Sequence, residues 1–183
     1  MLDGQAVAER ARPIVMPSRY ASFKPSEQPA LAQGVVRYVG EPVAAIAADG
    51  TRAQVEDLAD LVRVKYEALP PVVDLERAIA PGSPQVHPRV DRNIYVERTF
   101  SAGEAARVIA SARHRVRRRF RTQRHAAVPL EARGCLARFD PGTGELTLWT
   151  STQIPHLVRT ELARILRFPE QRLRVIAPDV GGG

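Results

Sequence analysis

Lysine is almost missing from this 183-residue chain: Lys24 and Lys65 are the only two, against 25 arginines. The net charge of +7 is therefore an arginine charge, and the imbalance resembles a codon bias more than a nucleic-acid footprint. A nucleic-acid reading stays open at an isoelectric point near 10.4. Cysteine is scarcer still, with Cys135 alone, which excludes an internal disulfide and gives no sign of an oxidising compartment. No apolar run approaches the roughly 20 residues of a membrane span. Asp3, Glu9, Arg10 and Arg12 precede any apolar run, so no secretory signal is visible and a cytoplasmic protein is expected. What is present, 44% hydrophobic and 26% charged residues, suits a globular chain with a real core.

Residues 1–33, rich in Pro, Ser and Ala, show no sustained period and read as an irregular lead-in. Two short apolar runs follow, 35–39 and 43–48, around Gly40-Glu41-Pro42, and read as strands. Thr51 with Gln54 forms a capping box for a helix that places Val55, Leu58, Ala59 and Val62 on one face. A third strand, 64–68, ends at Pro70-Pro71 and completes a β-β-α-β unit. Prolines and a glycine at 81–93 mark a boundary. Ser101 and Glu104 suggest a second capping box for a helix to about Ala112, followed by a long strand, 113–123. Strands 134–140 and 145–152 flank Pro141-Gly-Thr-Gly144, a hairpin signal. Pro155 opens a helix with Val158, Leu162, Ile165 and Leu166 on one face, and a last strand runs over 173–177.

Seven arginines lie between Arg113 and Arg124. As a strand, this segment would turn Arg115, Arg117, Arg119 and Arg121 to one face, and Val116 and Phe120 to the other. A solvated or subunit-facing side accounts for that pattern better than nucleic acid, which lacks stacking aromatics here beyond Phe120. The four histidines have no zinc spacing, and no metal bound directly by side chains is expected. Cys135 reads as a small core hydrophobe. Gln153 lies at a strand-to-helix junction, where an amide can donate to an oxo group; a solvated or helix-capping glutamine is the plain alternative. Gly181, Gly182 and Gly183 follow an apolar strand. Without Cβ atoms, their backbone N–H groups can approach a ligand closely.

Several segments, in order, resemble the molybdenum-binding large subunit of the xanthine dehydrogenase, aldehyde oxidase and aerobic carbon monoxide dehydrogenase family. Val35-Val-Arg-Tyr-Val-Gly-Glu-Pro-Val-Ala44, residues 53–60 and residues 64–70 are similar to its α/β hammerhead domain. Arg121-Thr-Gln-Arg-His125 and Pro129-Leu-Glu-Ala-Arg-Gly134 resemble the start of its first molybdopterin-binding domain. Trp149-Thr-Ser-Thr-Gln-Ile-Pro155 and residues 175–183 resemble two cofactor loops of that domain.

The resemblance implies a mixed α/β chain: 1–33 as lead-in to a truncated hammerhead domain, 34–80 as that domain, 81–97 as linker, and 98–183 as the start of a molybdopterin-binding domain. It implies that Gln153 and the backbone of Gly181, Gly182 and Gly183 contact a molybdenum–molybdopterin cytosine dinucleotide. Members hydroxylate aldehydes, N-heterocycles or CO with oxygen from water, using a glutamate base. Their partners are an iron–sulfur small subunit and an FAD-binding medium subunit, in a dimer of heterotrimers, with no nucleic acid and no membrane. No residue here matches the glutamate base, nor the Phe-Gly that continues the glycine loop. The expectation is thus a fragment without turnover of its own, in which 34–79 is the better-protected part. A stand-alone hammerhead-type binding or assembly module is the rival reading.

Overall fold

The computed structural model describes all residues except Pro17, Arg19, Arg124 and Gly183. The chain is mixed α/β. Its first third is built from very short pieces: β1 (Leu2–Asp3), α1 (Gly4–Arg10), β2 (Ile14–Val15), β3 (Glu27–Gln28), β4 (Ala44–Ala45) and α2 (Arg52–Asp60). The middle holds two short helices, α3 (Leu75–Ala78) and α4 (Ala105–Ser111). The last third holds β5 (Cys135–Asp140), β6 (Glu145–Thr150), α5 (Pro155–Leu166) and β7 (Leu173–Ile176).

The lead-in is more ordered than its composition suggests. Asp3 caps α1, its carboxylate accepting the Ala6 N–H at 2.8 Å. Gly4 is obligatory there, because a Cβ would lie 2.0 Å from the Ala32 carbonyl oxygen. β1 pairs antiparallel with β4, and β2 with β3. The Arg12 N–H reaches the Ile165 carbonyl at 2.8 Å, tying this region to the far end of the chain.

Much of the expected β-β-α-β unit is not formed as strands. Residues 35–39 are irregular: the Arg37 N–H donates to the Glu41 carboxylate at 2.5 Å, and Glu41 N–H closes a turn on Tyr38. A side chain that captures a backbone donor in this way competes with any ladder. The run 43–48 shortens to β4, and 64–68 finds no partner strand among the described residues. Helix α2 forms as expected, with both halves of the Thr51–Gln54 capping box in place. Its apolar face is left uncovered, and no residue of it is buried.

Further along, three expectations need correction. The Ser101 capping box is not made, since Glu104 is itself the cap residue and its carboxylate is held by the Arg107 Nε at 2.6 Å. The arginine-rich stretch 113–123 is not a strand, and Phe120 is 88% exposed, so its apolar side covers nothing. It is fastened instead by Arg119 to Glu76 and Arg121 to Asp74, at 3.1 and 3.2 Å. Cys135 is exposed rather than part of the core, because it sits on the outer strand of its sheet. The expected linker, by contrast, holds Val90, the most deeply buried side chain at 1% exposure. Asn93 organises it, accepting the Val86 N–H and donating to the Ala78 and Pro84 carbonyls.

The C-terminal sheet, ordered β5-β6-β7, is built as the pattern predicts. Asp140 pairs with Glu145 at the hairpin end; the Asp140 carboxylate accepts the Gly142 N–H, and Gly144 (φ 69°) supplies the left-handed residue. Pro155 starts α5 at a position where its missing N–H costs nothing. Arg167 ends α5 in the left-handed conformation, and β7 then returns parallel to β6, Leu146 opposite Leu173 through Trp149 opposite Ile176. Ala163 of α5 and Leu173 of β7 are buried where that helix packs on the sheet.

Candidate functional site

Parallel pairing of β6 with β7 gathers the candidate residues. Both strands run toward the same end of the sheet, so the chain leaving β6 and the chain leaving β7 emerge side by side. In open α/β sheets that end is where ligands are held. Without the α5 crossover, the segments that carry Gln153 and Gly181 would have no reason to leave the sheet at the same end.

Gln153 is exposed in the short connection between β6 and α5. It does not cap the helix. Ile154 holds the cap position without a side-chain bond, and the Ile154 N–H is taken by the Thr152 hydroxyl at 3.2 Å. The Gln153 amide makes no hydrogen bond among the described residues. Gly181 and Gly182 lie exposed beyond β7, and Gly183 falls outside the described residues. No direct bond joins Gln153 to the glycines among the described residues.

Glu131 holds the loop after β7. Its carboxylate accepts the Gly181 N–H at 2.5 Å. The Ser151 hydroxyl, on the segment just past β6, approaches the same carboxylate. Ser151 Oγ is buried and completes no hydrogen bond among the described residues. The Ser151 hydroxyl and then the Gly181 N–H hold the Glu131 carboxyl below the ordinary carboxylate range, against an opposing effect of burial.

The glycines also have a packing reason to be glycines. A Cβ on Gly181 would lie 2.9 Å from the Glu131 Cβ, and one on Gly182 would lie 2.8 Å from the Pro129 Cβ. Segment 129–131 lies across the loop at distances that side chains do not tolerate. One expected donor is therefore already engaged, since the Gly181 N–H is bonded to Glu131. The Gly182 N–H has no partner among the described residues.

Sequence reasoning had Glu131 only as one letter of the Pro129–Gly134 motif. Nothing local marks it, because its partner lies 50 residues further on. A hollow lies elsewhere, lined by Glu27, Gln28, Arg37, Tyr38, Glu41 and His87. Gln153, Gly181 and Gly182 are exposed and do not line it.

A family model described as "Molybdopterin cofactor-binding domain" matches residues 86–183, more than half of the chain. The chain belongs to the molybdopterin cofactor-binding domain family. Its match begins inside the segment expected to be the linker. Among curated relatives, the large subunit of nicotine 6-hydroxylase from Paenarthrobacter nicotinovorans is 41% identical over 155 residues, spanning 85% of this chain and 19% of the relative. The carbon monoxide dehydrogenase large chain of Hydrogenophaga pseudoflava is 34% identical over 168 residues, spanning 84% of this chain and 20% of that one. The crystal structure of quinoline 2-oxidoreductase from Pseudomonas putida 86 superposes with a TM-score of 0.91 at 39% identity. It covers all of this chain and 23% of the solved one. These matches place the chain with the large subunits of the family expected from its motifs. The chain spans about a fifth of the length of the curated relatives it matches.

Proposed function

We infer that this chain forms part of the cofactor-holding wall of a molybdenum hydroxylase whose substrate is an N-heterocycle. The observation that carries the reading is the meeting of the β6 and β7 loops at one end of the sheet, with Gln153 free on one and a glycine backbone on the other. The residues present fit a pterin–molybdenum group. An exposed amide and a Gly182 N–H that have no partner among the described residues, with a loop that has no room for side chains, make a surface that oxo and phosphate oxygens can approach. Gln153 would donate its amide to the group, and the Gly182 backbone would add a second donor. When bound, the group supplies the oxidising power for hydroxylation with oxygen from water. The cytosine dinucleotide form of the cofactor belongs to this proposal.

Choice of substrate class rests on the two matches near 40% identity, a nicotine hydroxylase and a quinoline oxidoreductase, both acting on nitrogen-containing rings by name. The carbon monoxide dehydrogenase likeness is weaker in sequence. Iron–sulfur and FAD-binding partner subunits, arranged as a dimer of heterotrimers in the cytoplasm, complete the reading. No helix among the described residues is long and apolar enough to cross a membrane. Residues 34–80 would be the hammerhead domain, with 98–183 in the molybdopterin-binding domain.

The test is to purify the full protein carrying these residues with its partners, assay it for pterin, and offer quinoline, nicotinate, an aldehyde and CO with an artificial acceptor. Oxidation of a ring substrate in preference to the others is expected. Absence of pterin from well-folded protein would sink the reading, and preference for CO would overturn the substrate class alone. These 183 residues by themselves are expected to show no turnover, since no carboxylate has been matched to the required base.

A further inference from the structure

We propose that Glu131 is a positioning residue, a strut between the ends of β6 and β7 that sets the spacing of Gln153 from the glycine backbone. This rests on the functional reading above. The argument starts from where the contacts fall. Glu131 meets Gly181 twice, through its carboxylate at 2.5 Å and through its Cβ, which would lie 2.9 Å from any Cβ placed on the glycine. Pro129 meets Gly182 in the same manner. Segment 129–131 thus touches two successive residues of the loop, which fixes its direction as well as its distance. On the other side, the chain runs from Glu131 into β5 within four residues, and β5 pairs Cys135 with Thr150 at the end of β6, three residues before Gln153.

A charged acceptor is suited to this place. Hydrogen bonds in which the acceptor is ionised are shorter and roughly twice as strong as neutral ones. The loop after β7 has few other ways of being held. Gly181 and Gly182 carry no side chains, and Val180 is exposed. Backbone freedom of glycine is large, so a loop of glycines keeps one geometry only if a neighbour imposes it. A ligand that spans both loops needs them at one spacing before it arrives, because ordering them on binding would cost affinity.

An opposite role is conceivable for the same contact. A carboxylate on a backbone donor could be a stand-in for the ligand, to be displaced on binding. The two roles predict opposite results. A strut that is removed lowers ligand retention; a stand-in that is removed raises it.

The experiment uses the full protein that carries these residues, as wild type, Glu131→Ala and Glu131→Gln. Hydrogen exchange of segment 178–182 is followed by mass spectrometry, with segment 173–176 as the folding control, and pterin content is measured by fluorescence after oxidation. In Glu131→Ala, exchange of 178–182 should speed up about tenfold or more while 173–176 is unchanged. Pterin content should fall several-fold. Glu131→Gln keeps an acceptor oxygen and should recover much of both. Unchanged exchange in Glu131→Ala, or pterin content that holds or rises there, overturns the proposal. If 173–176 loosens as well, Glu131→Gln decides: recovery of protection at 178–182 supports the strut, and none overturns it. Wild-type protein that protects 178–182 but holds no pterin would fail the functional reading instead, a different outcome from an unchanged amide.

Discussion

Residues 135–176 and residues 1–123 are two ways of using sequence with similar proportions of apolar residues. In the first, one hairpin and one crossover give ladders of six and four residue pairs, with a helix laid on the sheet. In the second, each strand is two residues long, and much of the order comes from side chains that satisfy backbone groups one at a time. Asp3, Thr51, Asp74 and Asn93 do this work. The difference shows in the whole. The chain exposes 16061 Å², where a compact monomer of its mass would expose about 8,800 Å². Surface of that extent, with Val39, Phe100, Phe120 and Leu130 among the exposed apolar residues, is what a region looks like when its layers lack their second half.

The comparison can be broken most directly in the core of the sheet. Leu173→Ala should destabilise by about 2–4 kcal/mol, the range for a buried leucine, since Leu173 is 4% exposed. Leu58→Ala, on the uncovered face of α2, should cost under about 1 kcal/mol. Equal losses in denaturant unfolding would show that α2 is covered in solution. Native-state exchange should follow the same division, with amides of β6 and β7 slowest. That reverses the ranking expected from sequence, which favoured 34–79.

Two substitutions of middle size compare a turn with a cap. Gly144→Ala forces a Cβ into left-handed backbone and should cost about 1–2 kcal/mol. Thr51→Ala removes half of a capping box and should cost about 1 kcal/mol. If the folded parts are independent, the first should loosen 135–150 alone and the second 52–60 alone, as read by local exchange.

Acid should then sharpen the contrast from the other side. Burial, and then the Arg37 charge, push the His87 imidazole below its usual value of about 6.5. The unfolded chain therefore takes up the proton first, and stability present above that pH is lost as pH falls through it. Asp74 is held low by the Arg77 N–H first, with help from Arg121, and Glu131 by Ser151 and Gly181. Their contributions persist to about pH 4 and go below it. A stability profile that rises on acidification between pH 7 and 5 would contradict the His87 assignment. The smallest effect is expected for Arg121→Ala, an exposed ion pair, with no measurable change in unfolding.

How much of this was legible from residues alone depended on the range of the determining contacts. The hairpin was legible because Asp140 to Glu145 contains its own instructions: an Asx acceptor, a proline and a left-handed glycine. Helix α5 was legible because Pro155 and a four-residue apolar face act within a few turns. The Thr51 cap was read correctly for the same reason. Residues 35–39 and 113–123 misled because alternation predicts a strand only when a partner edge is available: Glu41 takes the Arg37 N–H in the first, and the second finds no partner strand among the described residues, its arginines pairing by side chain with Asp74 and Glu76. At the site, Gln153 and the glycines stood out as motifs, whereas Glu131 did not, since only the closed sheet brings it to Gly181.

The close crossing of 129–131 over the glycine loop has a consequence for how such motifs are interpreted genetically. Alanine at 181 or 182 would collide with Glu131 or Pro129 whether or not a ligand were ever bound. A descendant that had given up the chemistry would thus be under pressure to keep both glycines for the sake of its fold. Gln153 has no such second duty among the described residues, so it is free to drift once its partner is gone. In a comparison of lineages, loss of the glutamine with retention of the glycines is the pattern that would mark a retired site.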